Sequence, residues 1–168
     1  MTKLVLTLVG DDREGLVKAV ADRVAAHGGN WEQSELTELS GAFAGIVLVS
    51  VPDGALDALV ADLGALDGLL HITPHVRRGA TPSGGEAFVF TVLGDDRQGI
   101  VRDITEVLSS QGLSIDRLTS RTLDAPMAGG TLFEAVLSVR APHGTDLQAA
   151  VSQLERLADE IQVDLTLV

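Results

Sequence analysis

The residues of this chain best suited to chemistry come in a duplicated turn. Gly10-Asp11-Asp12-Arg13-Glu14-Gly15-Leu16-Val17 recurs as Gly94-Asp95-Asp96-Arg97-Gln98-Gly99-Ile100-Val101. Each copy follows a short apolar run and precedes a helical period, so the turn delivers the chain into a helix N-terminus. The first N–H groups of a helix have no intrahelical partner and favour an anion such as a ligand carboxylate. A neighbouring Asp can meet an ammonium group, and a glycine lets a ligand approach the backbone. A free amino acid carries both charges close together. The expected contacts are therefore Asp11, Asp12, Gly15 and Leu16 in the first copy and Asp96, Gly99 and Ile100 in the second. The same residues have a structural use: Asp11 or Asp12 as N-cap, with Glu14 (Gln98 in the copy) completing a capping-box-like pair. Arg13 is expected to support the turn or face solvent.

Other chemistries find little support. With no Cys there is no disulfide framework, thiolate metal site or cysteine nucleophile. His27, His71, His75 and His143 have no His counterparts in the other copy, and His71 and His75 flank Pro74 in a strand-like stretch, which argues against a helical metal pair. Asp11-Asp12 and Asp95-Asp96 lack the ligand number of a calcium loop. No G-x-S-x-G elbow or Walker loop occurs. The expectation is a non-enzyme with no catalytic residues, no metal and no cofactor.

The elements that position the turns follow from an internal repeat. Leu4 to Leu39 aligns with Phe88 to Leu123 at an offset of 84, with 10 identities in 36 positions. Beyond that the offset grows to 90 and then 91, the extra residues falling in Asp124 to Gly130, where loop chemistry absorbs an insertion cheaply. Each copy reads as a strand, a helix, two strands, a helix and a last strand. Leu4 to Val9 and Phe88 to Leu93 read as buried strands. Val17, Val20 and Val24, and Ile100, Ile104, Val107 and Leu108, set the first helical period, which closes at Gly28 and Gly112. Asn30 to Leu39 has an imperfect strand period, which points to a bulge or an edge position. The order βαββαβ is the ferredoxin-like split βαβ, an α+β fold with helices on one face of each antiparallel sheet. The domains are expected at 1–78 and 87–168, joined by a small-residue connector at 79–86.

The formal charge of -12 is shared: residues 1–84 carry 11 acids and 6 bases, and residues 85–168 carry 13 and 6. Both halves would repel a phosphate backbone, so direct nucleic-acid binding is not expected. RNA-binding RRM domains share this element order, but Ser40 to Val47 lacks their leading Lys or Arg and offers one aromatic, Phe43, where they need more. Phe43 and Phe133 therefore read as core residues, while Trp31 stands beside the expected ligand. Met1 to Val9 lacks signal-peptide features, and no apolar run approaches a bilayer span, so no membrane association and a cytoplasmic location are expected.

The pattern G-x-D-R-x-G-[IL]-V after strand one, followed by a helix, a Gly and Asn30-Trp31, resembles the start of an ACT domain. The second copy keeps Gly94, Asp96, Arg97, Gly99, Ile100 and Val101 but has Ser114-Ile115 in place of the Asn pair. Two copies filling the chain, with Thr119-Ser120-Arg121-Thr122 leading to Leu132-Phe133, are similar to the glycine cleavage system transcriptional repressor-like proteins. The resemblance implies two tandem ACT domains that sense a small amino acid at an interface between paired domains, near the first loop and the start of the second strand. It adds Asn30, Trp31 and Ser114 to the ligand contacts. It also implies action through a protein partner such as a transcription factor, with glycine or serine the first ligands to expect and a homo-oligomer left open. The alternatives are a ligand-free interaction adaptor or a separate regulatory subunit of an amino-acid enzyme.

Overall fold

The computed structural model describes residues 1–76, 84–124, 130–157 and 162–167, the last stretch by its backbone. The chain divides into two compact units, Met1–Thr81 and Pro82–Val168. Most of the connector, Arg77-Arg78 and the centre of the Asp124 to Gly130 loop lie outside the described residues.

The first unit contains β1 (Thr2–Asp11), α1 (Leu16–Ala26), β2 (Asn30–Leu39), β3 (Ala42–Val51), α2 (Leu56–Gly64) and β4 (His71–Val76). The second contains β5 (Glu86–Asp95), α3 (Ile100–Ser110), β6 (Ser114–Asp124), β7 (Thr131–Ala141), α4 (Leu147–Glu155) and β8 (Gln162–Leu167). Both sheets are antiparallel, with strand orders β2-β3-β1-β4 and β6-β7-β5-β8. This is the tandem βαββαβ architecture expected from the repeat.

Alternation along the strands decides which face the helices cover. Leu4, Leu6 and Leu8 of β1 and Val47, Val49 and Val51 of β3 are buried with Leu16, Val20 and Val24 of α1 and Leu59 and Leu63 of α2. In the second unit Phe88, Phe90 and Val92, with Leu137 and Val139, meet Ile100, Ile104, Leu108 and Leu154. A fully buried side chain of this size contributes about 1.5–3 kcal/mol. Truncating Leu6 or Leu63 to Ala is therefore expected to cost about 2–5 kcal/mol once the cavity is included.

The helical period misplaces one residue. Val17 is 45% exposed, and its counterpart Val101 40%. The buried face starts instead at Leu16 in the first copy, and at Ile100 in the second, where the period places it. Both helices close in the same way. Gly28 N–H donates to Ala25 O and Gly29 N–H to Val24 O, and Gly112 and Leu113 repeat these bonds to Ser109 and Leu108, a Schellman pair in each unit.

The imperfect period of β2 has both anticipated causes. β2 is an edge strand, and its register shifts between Trp31 and Gln33; β6 repeats the shift between Ile115 and Arg117. The bulged Glu32 turns onto the open face and pairs with Lys3 at 2.8 Å. Trp31 packs against the first core, as Phe43 does.

Candidate functional site

β1 ends opposite the hairpin joining β2 and β3, Asp11 facing Ala42. Asp12 then donates its backbone N–H to Gly41 O at 2.8 Å. Ser40 and Gly41 form a two-residue tip with φ of 52° and 84°, the type I′ geometry that matches strand twist. In the second unit Asp96 N–H donates to Thr131 O, also at 2.8 Å. The duplicated turn is thus anchored to a hairpin in both copies.

The motif glycines have separate tasks. A Cβ on Gly10 would lie 2.6 Å from Leu69 O, so this glycine lets the segment between α2 and β4 cross the end of β1. Gly15 is the N-cap of α1 with φ 88°, and Gly99 that of α3 with φ 82°, the left-handed region. A side chain on Gly15 would meet no neighbour within 4 Å, so the space beside it is open.

The capping expectation is corrected here. Neither α1 nor α3 has a side-chain cap bond, because the left-handed glycine turns the backbone into the helix and leaves Asp11, Asp12, Asp95 and Asp96 upstream of the cap position. The capping-box pair with Glu14 does not form. Regular bonding in α1 starts with Ala19 N–H to Gly15 O at 2.9 Å, so the N–H groups of Leu16, Val17 and Lys18 precede it. Leu16 and Ile100 are core side chains, 2% and 4% exposed, and have only backbone atoms to offer a ligand.

A second correction concerns Asn30, Trp31 and Ser114. Asp11 faces Ala42 on β3, whereas Asn30 faces Ser50, eight positions along the same strand, or about 26 Å at strand rise. Asp95 and Ser114 are separated in the same way along β7, facing Leu132 and Arg140. Because β1 and β2 run in the same direction, the end of one and the start of the other lie at opposite ends of the sheet. Within one unit a single amino acid cannot touch both.

The histidines also find structural places. His27 Nε2 lies 3.1 Å from Asp62 Oδ2, and Arg23 Nε lies 3.3 Å from Asp62 Oδ1, joining α1 to α2. The sequence gives no hint of this link, since Asp62 is 35 residues beyond His27. Among the described residues no three metal-ligating side chains cluster. A shallow groove on the open sheet face, lined in part by Val5, Gln33, Glu35, Ile46 and Leu48, was also not foreseen.

With this geometry in place, the comparisons decide the family. The ACT-domain model matches residues 2–75. The first unit therefore belongs to the ACT-domain family. The crystal structure of an unknown protein from Galdieria sulphuraria is similar to it, with 30% identity over 99% of this chain and 98% of that one and a TM-score of 0.87. A glycine cleavage system transcriptional repressor-like protein shares the fold, with 18% identity, the same two coverages and a TM-score of 0.71. No curated protein matches. Among the described residues no helix is long and apolar enough to cross a membrane.

The two ACT units differ at the turn. In the first, Arg13 Nη2 comes no nearer than 4.0 Å to the exposed Asp11 Oδ2, the solvent-facing place expected for it. In the second unit, Arg97 Nη1 donates to Asp103 Oδ2 at 2.7 Å and Nη2 to Leu157 O at 3.4 Å. Arg102 donates to Asp103 Oδ1 through Nε at 3.0 Å and Nη2 at 2.8 Å. Arg102, and after it Arg97, hold the Asp103 carboxyl below the usual carboxylate range. At the offset of 84, the ACT unit without this cluster has Ala19 in place of Asp103.

Proposed function

We propose that this tandem ACT protein is a non-catalytic regulator that senses a small amino acid and acts through a protein partner, which includes control of transcription in amino-acid metabolism. Glycine or serine is the first ligand to expect, because Gly15 leaves its backbone open to the close approach of a short ligand. The observation that carries the reading is this open turn: N–H groups at the start of α1 can receive a carboxylate, while Asp12 can meet an ammonium. ACT membership makes a regulatory role the natural use of such a turn. The fold shared with the repressor-like protein is compatible with a partner transcription factor, as is an acidic chain that does not itself favour DNA.

The contacts proposed in the first unit are Asp11, Asp12, Gly15 and the Leu16 N–H. Asp96, Gly99 and Ile100 are the equivalent positions in the second. Asp12→Ala is a clean test because its side chain caps nothing and its backbone bond to Gly41 survives the change. Calorimetry should show weaker binding of the amino acid by Asp12→Ala at unchanged unfolding temperature. Unchanged affinity would place the ligand elsewhere. The adaptor reading draws on the β2 edge and on Val9 and Ile46, both 49% exposed on the open sheet face. It takes precedence if no amino acid binds.

A further inference from the structure

We propose that Asp103 is a built-in occupant of the second turn: its carboxylate draws Arg97 and Arg102 onto the start of α3 and locks that turn, so that the two ACT units are unequal and only the first turn opens to an external carboxylate. The inference rests on the functional reading above for what the first turn binds, but the lock itself stands on geometry.

Two guanidinium groups converge on one carboxylate through three bonds of 2.7 to 3.0 Å. Asp103 is part-buried, with 18% of its side chain exposed, so its charge-assisted bond with Arg97 is less diluted by water than a surface pair, whereas the two bonds from Arg102 lie at the surface. Arg97 also reaches Leu157 O, which ties the turn to the segment after α4. The result is a strap from the motif arginine to the segment that follows α4. The Asp103 carboxylate also draws Arg102 over the cap: a Cβ on Gly99 would lie 3.5 Å from Arg102 Nη2, whereas one on Gly15 would meet nothing within 4 Å.

The first unit lacks the strap at each point. Ala19 stands at the Asp103 position and has no carboxylate, and among the described residues Arg13 makes only the long pair with Asp11. Lys18, the counterpart of Arg102, pairs with Asp22 one helical turn further on instead of folding toward the motif. The duplication kept the arginine in both copies, but among the described residues it has a close carboxylate partner, at 2.7 Å, in the second copy and a distant one, at 4.0 Å, in the first.

Hydrogen exchange on the full-length chain tests the lock. In the wild-type protein the segment 95–100 should exchange about tenfold more slowly than 11–16, the effect expected from losing or keeping a charge-assisted pair. Asp103→Asn should bring the second segment to the rate of the first while Ile104 and Leu108 stay protected. Ala19→Asp is the reciprocal variant and should slow exchange at 11–16. Equal rates in wild type overturn the proposal, and so does an unchanged second turn in folded Asp103→Asn. If Asp103→Asn does not fold, the wild-type comparison and Ala19→Asp decide. Calorimetry with glycine and serine separates this proposal from the reading it rests on. One site per chain in wild type supports both. Unequal exchange with no amino acid bound upholds the lock and removes the ligand reading, whereas two equal sites overturn the lock.

Discussion

The backbone N–H of Asp12 donates to the carbonyl oxygen of Gly41 at 2.8 Å, and Asp96 repeats the bond to Thr131. A loop that would otherwise be free is thereby held against the β2–β3 hairpin, and the start of α1 is placed relative to the sheet edge. The hairpin tip should matter to the turn even though it lies 29 residues further along the sequence. Gly41→Ala forces a side chain into the left-handed region at φ 84° and should cost about 1–2 kcal/mol in urea unfolding. It should also loosen exchange at 11–16. A neutral change would show that the tip is not specified by its backbone geometry.

Gly15→Ala and Gly99→Ala should each destabilise by about 1–2 kcal/mol, because both positions have positive φ. At Gly15 the cost is conformational, since nothing crowds the added Cβ. A larger residue there, such as Val, would combine strain with any effect on a ligand, which makes Asp12→Ala the better binding probe. Chemical denaturation of the two variants checks this, and wild-type stability in both would contradict the left-handed cap.

The element order and both turns were legible in the sequence because duplication doubles every signal: strand runs, helix period and Gly28/Gly112 stops each occur twice. Edge character in β2 was legible from its broken alternation. The cap was not. An Asp three residues before Glu14 suggests a capping box, but Gly15 at φ 88° shifts the helix start past both. The separation of Asp12 from Asn30 was legible in principle, since one precedes α1 and the other follows it, and the two therefore meet opposite ends of the helix. The Arg97–Asp103–Arg102 cluster depends on two adjacent differences between the copies, Lys18 against Arg102 and Ala19 against Asp103, which an alignment of identities passes over.

The pH dependence of the second unit has a definite sign. Asp103 is held below its ordinary value by Arg102 and then Arg97, so its contribution is complete above the unfolded carboxylate value and is lost as pH falls through the lower folded value. The stability gap between wild type and Asp103→Asn should be constant above about pH 5 and close below about pH 4. Glu32, lowered by Lys3 and then Ser50, adds a loss of the same sign in the first unit. Unfolding curves across this range measure it; a gap that widens on acidification would contradict the assigned pairs.

Duplex DNA should not bind the protein alone at physiological salt, because the charge of -12 opposes phosphate contacts. A mobility-shift assay with unrelated sequences reads this directly. A salt-sensitive shift would reveal a basic surface strong enough to overcome the net charge.

Amino-acid sensing itself is tested most directly by calorimetric titration of the full-length wild-type chain with each of the twenty amino acids. The account predicts saturable binding of a small one, glycine or serine first, with one site per chain and an affinity reduced by Asp12→Ala. Absence of binding by all twenty would contradict it and leave the adaptor reading in its place.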